Sequence, residues 1–436
     1  MINIPRALLA VSIAVSVAAG IMWTSSEAVE VFIDASRGEI KKIPIAVFNF
    51  KNAVPSPGHD LTDILKSDLQ RSQLFDVADL KNLGIKPDVN SRPAEDAIRT
   101  AGEAGLAVQV WGALMSRGSD RILEGSLYDF ARREVIGGKR YIGPPDVIRT
   151  MVHRLADELV LQYTGEQGIA RSWIAYVSDT GGAKELFVMD YDGYQPRQLT
   201  FDGSLNLAPT WASDKRRLAF VSYRRGGDPQ IEELDLGTGR RRTLVSFPGM
   251  NITPEWSPGG YELAFAASKD GNSEIYKTDR DGKRFQRLTE HPGADLAPTW
   301  SPTGREIAFT SDRGGGPQIY LMGADGTNVR RLTYKGNYNT AAAWSPKGNW
   351  IAYVCRDDRR FLKICLISPD GQHVKQLTAG VGNDESPAWS ADGRHLAFST
   401  TRNGKRDIYI MNADGSDPER LTANSASNDD PAWSVP

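Results

Sequence analysis

Short runs of alternating apolar and polar residues make up most of the chain after about residue 173. In one such run, Ile307, Ala308 and Phe309 follow a Ser-Pro-x-Gly turn that begins at Ser301. Glycine or proline interrupts the sequence about every 8 to 12 residues, a spacing typical of all-β folds. No apolar stripe with the 3.6-residue period of a helix survives between these interruptions. The pattern therefore predicts a series of short β-strands.

One tryptophan recurs through this region at spacings of 44 or 45 residues. The six copies are Trp211, Trp256, Trp300, Trp344, Trp389 and Trp433. The surrounding text repeats as well, since residues 297–309 read APTWSPTGREIAF and residues 253–265 read TPEWSPGGYELAF. Four predicted strands in a repeat of about 40–45 residues indicate one blade of a β-propeller. We interpret the recurring tryptophan as a residue that packs between blades.

The two ends of the repeat array complement each other. The first unit, residues 173–200, has the second, third and fourth strands but lacks the tryptophan strand. Residues 430–434 supply a tryptophan strand that no further strand follows. We expect this last strand to complete the first blade, because closing the ring leaves no exposed sheet edge. The prediction is a six-bladed propeller closed by its C-terminal strand, over residues 169–436.

The sequence before the repeats has a different organisation. Strand patterns alternate with helical ones, and the last helical pattern, residues 146–163, places apolar residues along one face. This alternation predicts an α/β domain over residues 29–164, followed by a short linker at 165–168. The fold class is thus an α/β N-terminal domain followed by an all-β propeller.

The first 28 residues have the features of a secretory signal peptide. Arg6 precedes an uncharged apolar run, residues 7–22, and the small-x-small pattern at 26–28 indicates cleavage after Ala28. The apolar run is shorter than the roughly 20 residues that span a bilayer. We expect an exported, soluble mature protein that is peripheral to the cell envelope.

The chain has two cysteines, Cys355 and Cys365, on neighbouring predicted strands of one blade. A disulfide needs facing Cβ atoms about 3.8 Å apart. The expected centre of the turn places Ile364, not Cys365, opposite Cys355. The sequence leaves open whether the two cysteines pair.

Motifs for catalysis are absent from the sequence. It contains no G-x-S-x-G, P-loop, H-E-x-x-H or C-x-x-C pattern. A net charge of -2 gives no electrostatic reason to expect a nucleic acid partner. The repeats also resemble the propellers that accompany serine peptidases of the prolyl oligopeptidase group, but those enzymes need a further hydrolase domain. We expect a non-enzymatic binding protein that requires no cofactor, with a propeller-associated hydrolase as the alternative.

An Asn or Asp stands five residues before each repeat tryptophan. The six residues are Asn206, Asn251, Asp295, Asn339, Asp384 and Asn428. They lie where the chain crosses from the outer strand of one blade to the inner strand of the next, so we expect them to converge on the mouth of the central channel. Such residues also form Asx turns that shape a connection, and both roles can hold together. With Glu385, Asp429 and Asp430 nearby, the sequence predicts an acidic channel mouth, and Ca²⁺ at Asp295 and Asp384 is the candidate metal.

Over nearly its full length the chain resembles the TolB family of the Tol-Pal system. The resemblance rests on the signal peptide, the V-x-V-x-I-D segment at 29–34, the Tyr-Asp-Gly-Tyr text at 191–194 and six W-S-P-type repeats ending in Pro-Ala-Trp-Ser-Val-Pro. It implies a periplasmic protein that acts in outer-membrane integrity during cell division. The implied partners are the lipoprotein Pal and the inner-membrane protein TolA, with colicins as further candidates.

The resemblance also implies where partners would bind. Pal would dock at the channel mouth, and TolA would be reached through the segment just after the signal peptide. The residues that fall at the Pal-facing positions, in addition to the six Asn and Asp residues, are Met250, Thr253, Leu296, Glu385 and Asp429. The output segment contains Val29, Val31, Ile33 and Asp34.

Overall fold

The structure, a computed structural model, describes residues 41–52, 60–87, 93–179 and 181–436. The predicted signal peptide and the segment with Val29, Val31, Ile33 and Asp34 lie outside the described residues. No helix within these ranges has the length and apolar character needed to cross a membrane.

The α/β domain is a mixed sheet with two helices on one face. Its elements are β1 (Ile43–Val47), β2 (Lys51–Asn52), α1 (Leu61–Arg71), β3 (Phe75–Val77), α2 (Glu95–Glu103), β4 (Val108–Arg117), β5 (Asp120–Asp129), β6 (Glu134–Gly143), a 3-10 turn (Pro145–Val147) and α3 (Ile148–Thr164). The sheet order is β3-β1-β4-β5-β6, with β2 beside β4. β1 runs parallel to β3 and β4, whereas β5 and β6 are antiparallel neighbours.

Local sequence fixes the ends of these helices. The Asp60 side chain caps α1 by accepting a hydrogen bond from the Thr62 amide at 2.8 Å. Gly165 ends α3 in the left-handed conformation, with φ of 70°. The apolar face of α3, which includes Val152, Leu155 and Leu159, is buried against the sheet and α1.

The rest of the described chain forms short antiparallel strands. In chain order they are β7 (Trp173–Asp179), β8 (Lys184–Asp190), β9 (Arg197–Gln198), β10 (Asn206–Trp211), β11 (Arg217–Ser222), β12 (Gln230–Asp235), β13 (Arg241–Val245), β14 (Asn251–Trp256), β15 (Glu262–Ala267), β16 (Glu274–Asp279), β17 (Phe285–Arg287), β18 (Asp295–Trp300), β19 (Glu306–Ser311), β20 (Gln318–Gly323), β21 (Arg330–Arg331), β22 (Asn339–Trp344), β23 (Ile351–Arg356), β24 (Leu362–Ile367), β25 (Val374–Gln376), β26 (Asp384–Trp389), β27 (His395–Thr400), β28 (Asp407–Asn412), β29 (Glu419–Arg420) and β30 (Ser427–Trp433).

These strands form six four-stranded sheets, which confirms the predicted propeller. Blades 2 to 6 are β10–β13, β14–β17, β18–β21, β22–β25 and β26–β29, and blade 1 has the order β30-β7-β8-β9. Trp433 of β30 pairs with Ile174 of β7, so the last strand closes the ring as predicted. The first strand of each blade is the innermost, because these six strands contact one another in a circle.

The propeller has two different faces. The turn face carries the tight turn after each tryptophan strand and the turn between the third and fourth strands. The loop face carries the loop between the second and third strands and the connection from each blade to the next. These definitions follow from the up-and-down order of the strands within each blade.

The repeat tryptophans join neighbouring blades. All six are at least nine-tenths buried. The indole Nε1 of Trp300 donates to the carbonyl of Glu255 in the preceding blade at 3.1 Å, and Trp389 donates in the same way to Ala343 at 3.0 Å. Trp211 reaches the carbonyl of Ala432, across the closure of the ring. This contact supports the interpretation of the tryptophans as packing residues.

The two domains share one apolar core at blades 1 and 6. Tyr191 and Trp433 of the propeller belong to the same buried cluster as Leu69 of α1 and Val152 of α3. Polar contacts surround it on the turn face. The Gln73 amide donates to Asn412 Oδ1 at 2.7 Å, for example.

A buried carboxylate also joins the domains. Asp68 of α1 accepts a hydrogen bond from the Tyr191 hydroxyl at 2.6 Å and lies 2.7 Å from Nδ1 of His153 on α3. Burial lowers the pKa of His153, but the neighbouring Asp68 and Asp192 carboxylates outweigh this effect and raise it above its usual value. The junction is thus held by apolar packing and by a charge-assisted network.

Cys355 and Cys365 form a disulfide across blade 5, with their Cα atoms 5.9 Å apart. The expected register was wrong by one residue. Cys355 lies opposite Lys363, and Tyr353 lies opposite Cys365. The cysteines are therefore diagonal neighbours on one face of the sheet, where a bridge can form.

Candidate functional site

The six Asn and Asp residues of the predicted channel mouth lie at the start of the inner strands. None of them has more than 1% of its surface exposed. The expectation that their side chains form an accessible rim is therefore wrong. They point back into the blades, where they brace the connections of the loop face.

We call these six residues the braces. Several of them link the third and fourth strands of one blade to the inner strand of the next. In the connection from blade 4 to blade 5, Asn339 donates to the Gln318 side chain at 2.9 Å, and Thr333 donates to the same oxygen at 2.8 Å. Asn206, Glu185 and Thr200 repeat this arrangement between blades 1 and 2. The start of the third strand, the end of the fourth and the next inner strand are thereby fixed together. Sequence reasoning missed the Gln318 and Thr333 positions, although Thr recurs after the fourth strand in five of the six blades.

Carboxylates in this ring are already paired with cations. Asp384 lies 3.3 Å from Lys363 Nζ and 3.2 Å from Arg402, and Asp295 lies 2.7 Å from Arg313. Burial raises the pKa of Asp295, although its hydrogen bond to Ser311 and the Arg313 charge lower it. The predicted acidic character of the mouth is thus largely neutralised.

Glu385 and Asp429, which lie beside the ring, are also paired with a cation. Both accept from Arg406, at 2.8 and 2.6 Å. Within the described ranges no group of three or more His, Cys, Asp or Glu side chains is placed to hold a metal ion. Asp295 and Asp384, each bound to arginine or lysine, do not fit a Ca²⁺ site in this arrangement.

The residue two positions after each brace has a positive φ. These residues, with φ between 47° and 52°, are Ala208, Thr253, Ala297, Ala341, Ser386 and Asp430. They form a bulge in every inner strand, and some of them contact each other around the channel. The Ala297 amide donates to Thr253 Oγ1 at 3.2 Å, and Ser386 Oγ donates to Asp430 at 3.0 Å. Thr253, a predicted contact residue, is therefore part of the channel wall.

Exposed apolar side chains mark the loop face more clearly than the acidic residues do. All of them lie in connections between blades, and their exposed fractions range from 37% to 76%. They are Phe201, Leu205, Met250, Tyr334 and Val381. Met250 was predicted, but Phe201, Tyr334 and Val381 were missed. Their signal in the sequence is a large apolar residue one or two positions before a glycine, where no strand pattern accounts for it.

Leu296 occupies an intermediate position. It is half-buried in the inner strand of blade 4 and packs against the core between blades 3 and 4. Among the predicted contacts that follow the braces, Glu385 and Asp429 are half-buried as well. These three side chains lie beside the channel mouth, whereas the braces themselves do not reach solvent.

The half of the channel nearer the turn face holds a cavity of about 310 Å³. Glu255 lines it and accepts a hydrogen bond from Thr210 at 2.8 Å. Burial raises the pKa of Glu255 to about 7, against a small lowering by Thr210. Burial and the neighbouring Asp429 charge likewise raise the pKa of Asp430 to about 6. The channel thus contains two carboxyl groups that titrate near neutral pH.

Comparison with known proteins agrees with this architecture. The family model described as the TolB beta propeller domain matches residues 160–435, and the model of the TolB amino-terminal domain matches residues 31–135. A solved structure of TolB from Acinetobacter baumannii is 29% identical, has a TM-score of 0.77, and aligns over 91% of this chain and 97% of that one.

Two curated relatives carry the name Tol-Pal system protein TolB. The one from Desulfosudis oleivorans is 34% identical over 252 residues, and the one from Alcanivorax borkumensis is 29% identical over 254 residues. These alignments cover 56% and 57% of this chain, and they span 57% and 58% of the length of the relatives. Because the propeller model alone matches more than half of the chain and the amino-terminal model precedes it in the same order, the chain belongs to the TolB family of the Tol-Pal system.

Proposed function

We propose that this protein is a periplasmic, non-catalytic binding hub of the Tol-Pal system. It docks the lipoprotein Pal on the loop face and signals to TolA through the segment with Val29, Val31, Ile33 and Asp34. By linking these two partners it maintains outer-membrane integrity during cell division. Family membership supports the system, and the loop face supports the place of docking.

The observation that carries the docking site is the group of exposed apolar residues in the blade connections of the loop face, which is the face that the N-terminal domain leaves uncovered. Exposed apolar residues such as Tyr261 and Val329 also lie on the turn face. Phe201 and Tyr334 are 76% and 73% exposed on the loop face. Large exposed apolar residues grouped on one surface mark protein interaction sites, and aromatic residues and Met are enriched in such interfaces. The opposite face is partly covered at blades 1 and 6, where Gln73 and Glu166 of the N-terminal part contact Asn412 and Arg394. The loop face is thus the larger free surface of the propeller.

Nine of the eleven predicted contact residues divide into two groups under this proposal, and Thr253 and Leu296, in the inner strands, belong to neither. Met250, Glu385 and Asp429 lie at or near the surface and would touch Pal. The six buried Asn and Asp residues would hold the connections in the conformation that Pal recognises. A rigid surface lowers the entropic cost of binding, so bracing of this kind supports affinity without direct contact.

The alternative, a propeller-associated hydrolase, gains no support from the described side chains. In those ranges no serine, threonine or cysteine side chain is hydrogen-bonded to a histidine ring. A nucleophile activated by histidine requires such a contact or a close approach to it.

Calorimetric titration with Pal from the same organism tests the proposal. Phe201→Ser with Tyr334→Ser should weaken binding at least tenfold, since buried aromatic anchors often contribute about 2 kcal/mol or more each. Tyr261→Ser is the matched control, because Tyr261 is 74% exposed but lies on the turn face. Equal affinity of the double variant and the control would show that Pal does not dock on the loop face.

A further inference from the structure

The loops between the second and third strands of the blades carry most of the cations on the loop face. In three blades the first cation of this loop pairs with a buried carboxylate of the propeller. These internal pairs are Arg224 with Glu232, Arg313 with Asp295, and Arg402 with Asp384, at 2.7 to 3.2 Å. In blade 3, Lys269 pairs with the adjacent Asp270 of the same loop at 2.9 Å. Such pairs leave little charge for a partner.

Blade 5 departs from this rule. The equivalent position is Asp357, which closes its own loop by accepting from the Phe361 amide at 2.8 Å. The buried residue at the start of the inner strand of this blade is the neutral Asn339, so the blade 5 loop has no buried carboxylate to neutralise. Arg356, Arg359 and Arg360 are all exposed.

These arginines lie beside an aromatic connection. The Arg356 guanidinium stacks 4.3 Å from the centre of the Tyr338 ring, and the exposed Tyr334 and Lys335 lie in the same connection from blade 4 to blade 5. Among the described residues, none of Lys335, Arg356, Arg359 and Arg360 forms an ion pair. Two carboxylates, Asp357 and Asp358, lie in the same loop, so the four cations outnumber the nearby carboxylates. We call the set Tyr334, Lys335, Tyr338, Arg356, Arg359 and Arg360 the blade 5 patch.

The neighbouring connection extends the patch. Val381, 66% exposed, lies between blades 5 and 6, and the Leu362 amide donates to Asn383 of that connection at 3.1 Å. The disulfide between Cys355 and Cys365 bridges the two strands at the base of the blade 5 loop. The patch is therefore a fixed surface with cations around aromatic and apolar side chains. By contrast, the corresponding loop of blade 2 exposes a single unpaired arginine, Arg225.

We infer that the blade 5 patch binds a carboxylate-rich protein segment, so that the partner's acidic side chains meet this sector of the loop face. Free guanidinium groups suit carboxylates because they present paired donors in a fixed plane. Tyr and Arg around an apolar contact are also the residues enriched at protein interfaces. The patch is positively charged, whereas the sequence predicts a negatively charged channel mouth. The carboxylates at the mouth do not attract a cationic partner because they are paired with cations inside the propeller. The inference rests on the proposed function only for the identity of Pal as the natural partner.

The test compares two double variants of the full chain. Arg356→Gln with Arg359→Gln removes two charges from the patch, and Arg280→Gln with Lys283→Gln removes two exposed charges from a turn of blade 3 on the opposite face. The probes are poly-L-glutamate and purified Pal, each titrated at about 50 and 300 mM NaCl. At low salt the patch variant should bind both probes about 5- to 10-fold more weakly than the wild type and the control, and most of this difference should disappear at high salt.

The outcomes separate the inference from the proposed function. Equal binding of poly-L-glutamate by the two variants overturns the inference, and so does Pal binding that is detectable and equal in both variants. If Pal binds neither protein but poly-L-glutamate distinguishes the variants, the docking of Pal falls and the acidic-segment site stands. The last measurement is sedimentation with phosphatidylglycerol vesicles. If the patch variant loses vesicle binding but keeps poly-L-glutamate binding, the patch binds a lipid surface and the inference is overturned.

Discussion

Lys363 and Asp384 form an ion pair of 3.3 Å in which neither side chain has more than 1% of its surface exposed. The Lys363 ammonium also donates to the Gly382 carbonyl at 2.6 Å, and Asp384 accepts from Thr400 at 2.5 Å. The pair connects the third strand of blade 5 to the inner strand of blade 6. It occupies the place that neutral Asn and Gln side chains hold between blades 4 and 5.

Replacing Asp384 by Ala should destabilise the propeller strongly. The change leaves a buried ammonium without a counter-charge, and breaking a buried pair in this way costs about 3–5 kcal/mol. The free energy of unfolding in urea measures the loss. Asp281→Ala, whose side chain is 59% exposed on a turn, is the control and should change the free energy by less than about 1 kcal/mol. An Asp384→Ala protein as stable as the control would contradict the buried pair.

Removal of residues 427–436 should prevent the propeller from folding as a stable monomer. Without β30, blade 1 loses its inner strand, and β7 presents an unpaired edge that recruits other chains. Size-exclusion chromatography with thermal unfolding should show association and a lower melting temperature. A monomer that melts at the temperature of the full chain would refute closure by β30.

The stability of the protein should fall as pH rises through about 7, and Glu255 should account for part of the fall. Its folded pKa of about 7 lies above the roughly 4.3 of an unfolded glutamate, so the folded state holds the proton more tightly. Between these values each unit of rising pH removes up to about 1.4 kcal/mol. Glu255→Gln should flatten the dependence between pH 5 and 8, measured by urea unfolding. Glu262→Gln, with a side chain that is 41% exposed, is the comparison variant; a Glu255→Gln curve parallel to that of the wild type would exclude the channel carboxyl as the source of the dependence.

Loss of the Tyr191 hydroxyl should loosen the junction between the two domains. In Tyr191→Phe the Asp68 carboxylate keeps His153 but loses the donor at 2.6 Å, at a cost of about 1–3 kcal/mol. Calorimetry should then resolve two unfolding transitions in place of one. The control Tyr261→Phe alters a tyrosine that is 74% exposed on a turn of blade 3; if both variants unfold alike, the Asp68 contact does not hold the domains together.

The propeller could be predicted from sequence because its signal is periodic. The spacing of the tryptophans fixes the number of blades, and the missing strand of the first unit fixes the closure. The α/β domain was predicted from alternating patterns, whose period reports which residues face a core.

Side-chain direction at the channel mouth could not be read from spacing. The positions of Asn206 and Asp384 were correctly placed at the start of inner strands, but strand position does not say whether a side chain faces the channel or the preceding blade. That choice depends on partners such as Glu185 and Lys363, about twenty residues earlier in the chain. The disulfide was left open for a related reason, since a shift of one residue in register moves a side chain to the other face of a sheet.

The pairing of β30 with β7 has a consequence for how the molecule assembles. Five complete blades lie between these two strands in the chain, so blade 1 is the first to begin and the last to be finished. Trp433, on β30, belongs to the apolar cluster on which α1 and α3 rest. The apolar surface on which the N-terminal domain packs is therefore incomplete until β30 pairs with β7. Ring closure and domain docking thus become a single late step in folding. A ribosome or translocation channel that still holds β30 keeps both the ring and the domain junction unfinished.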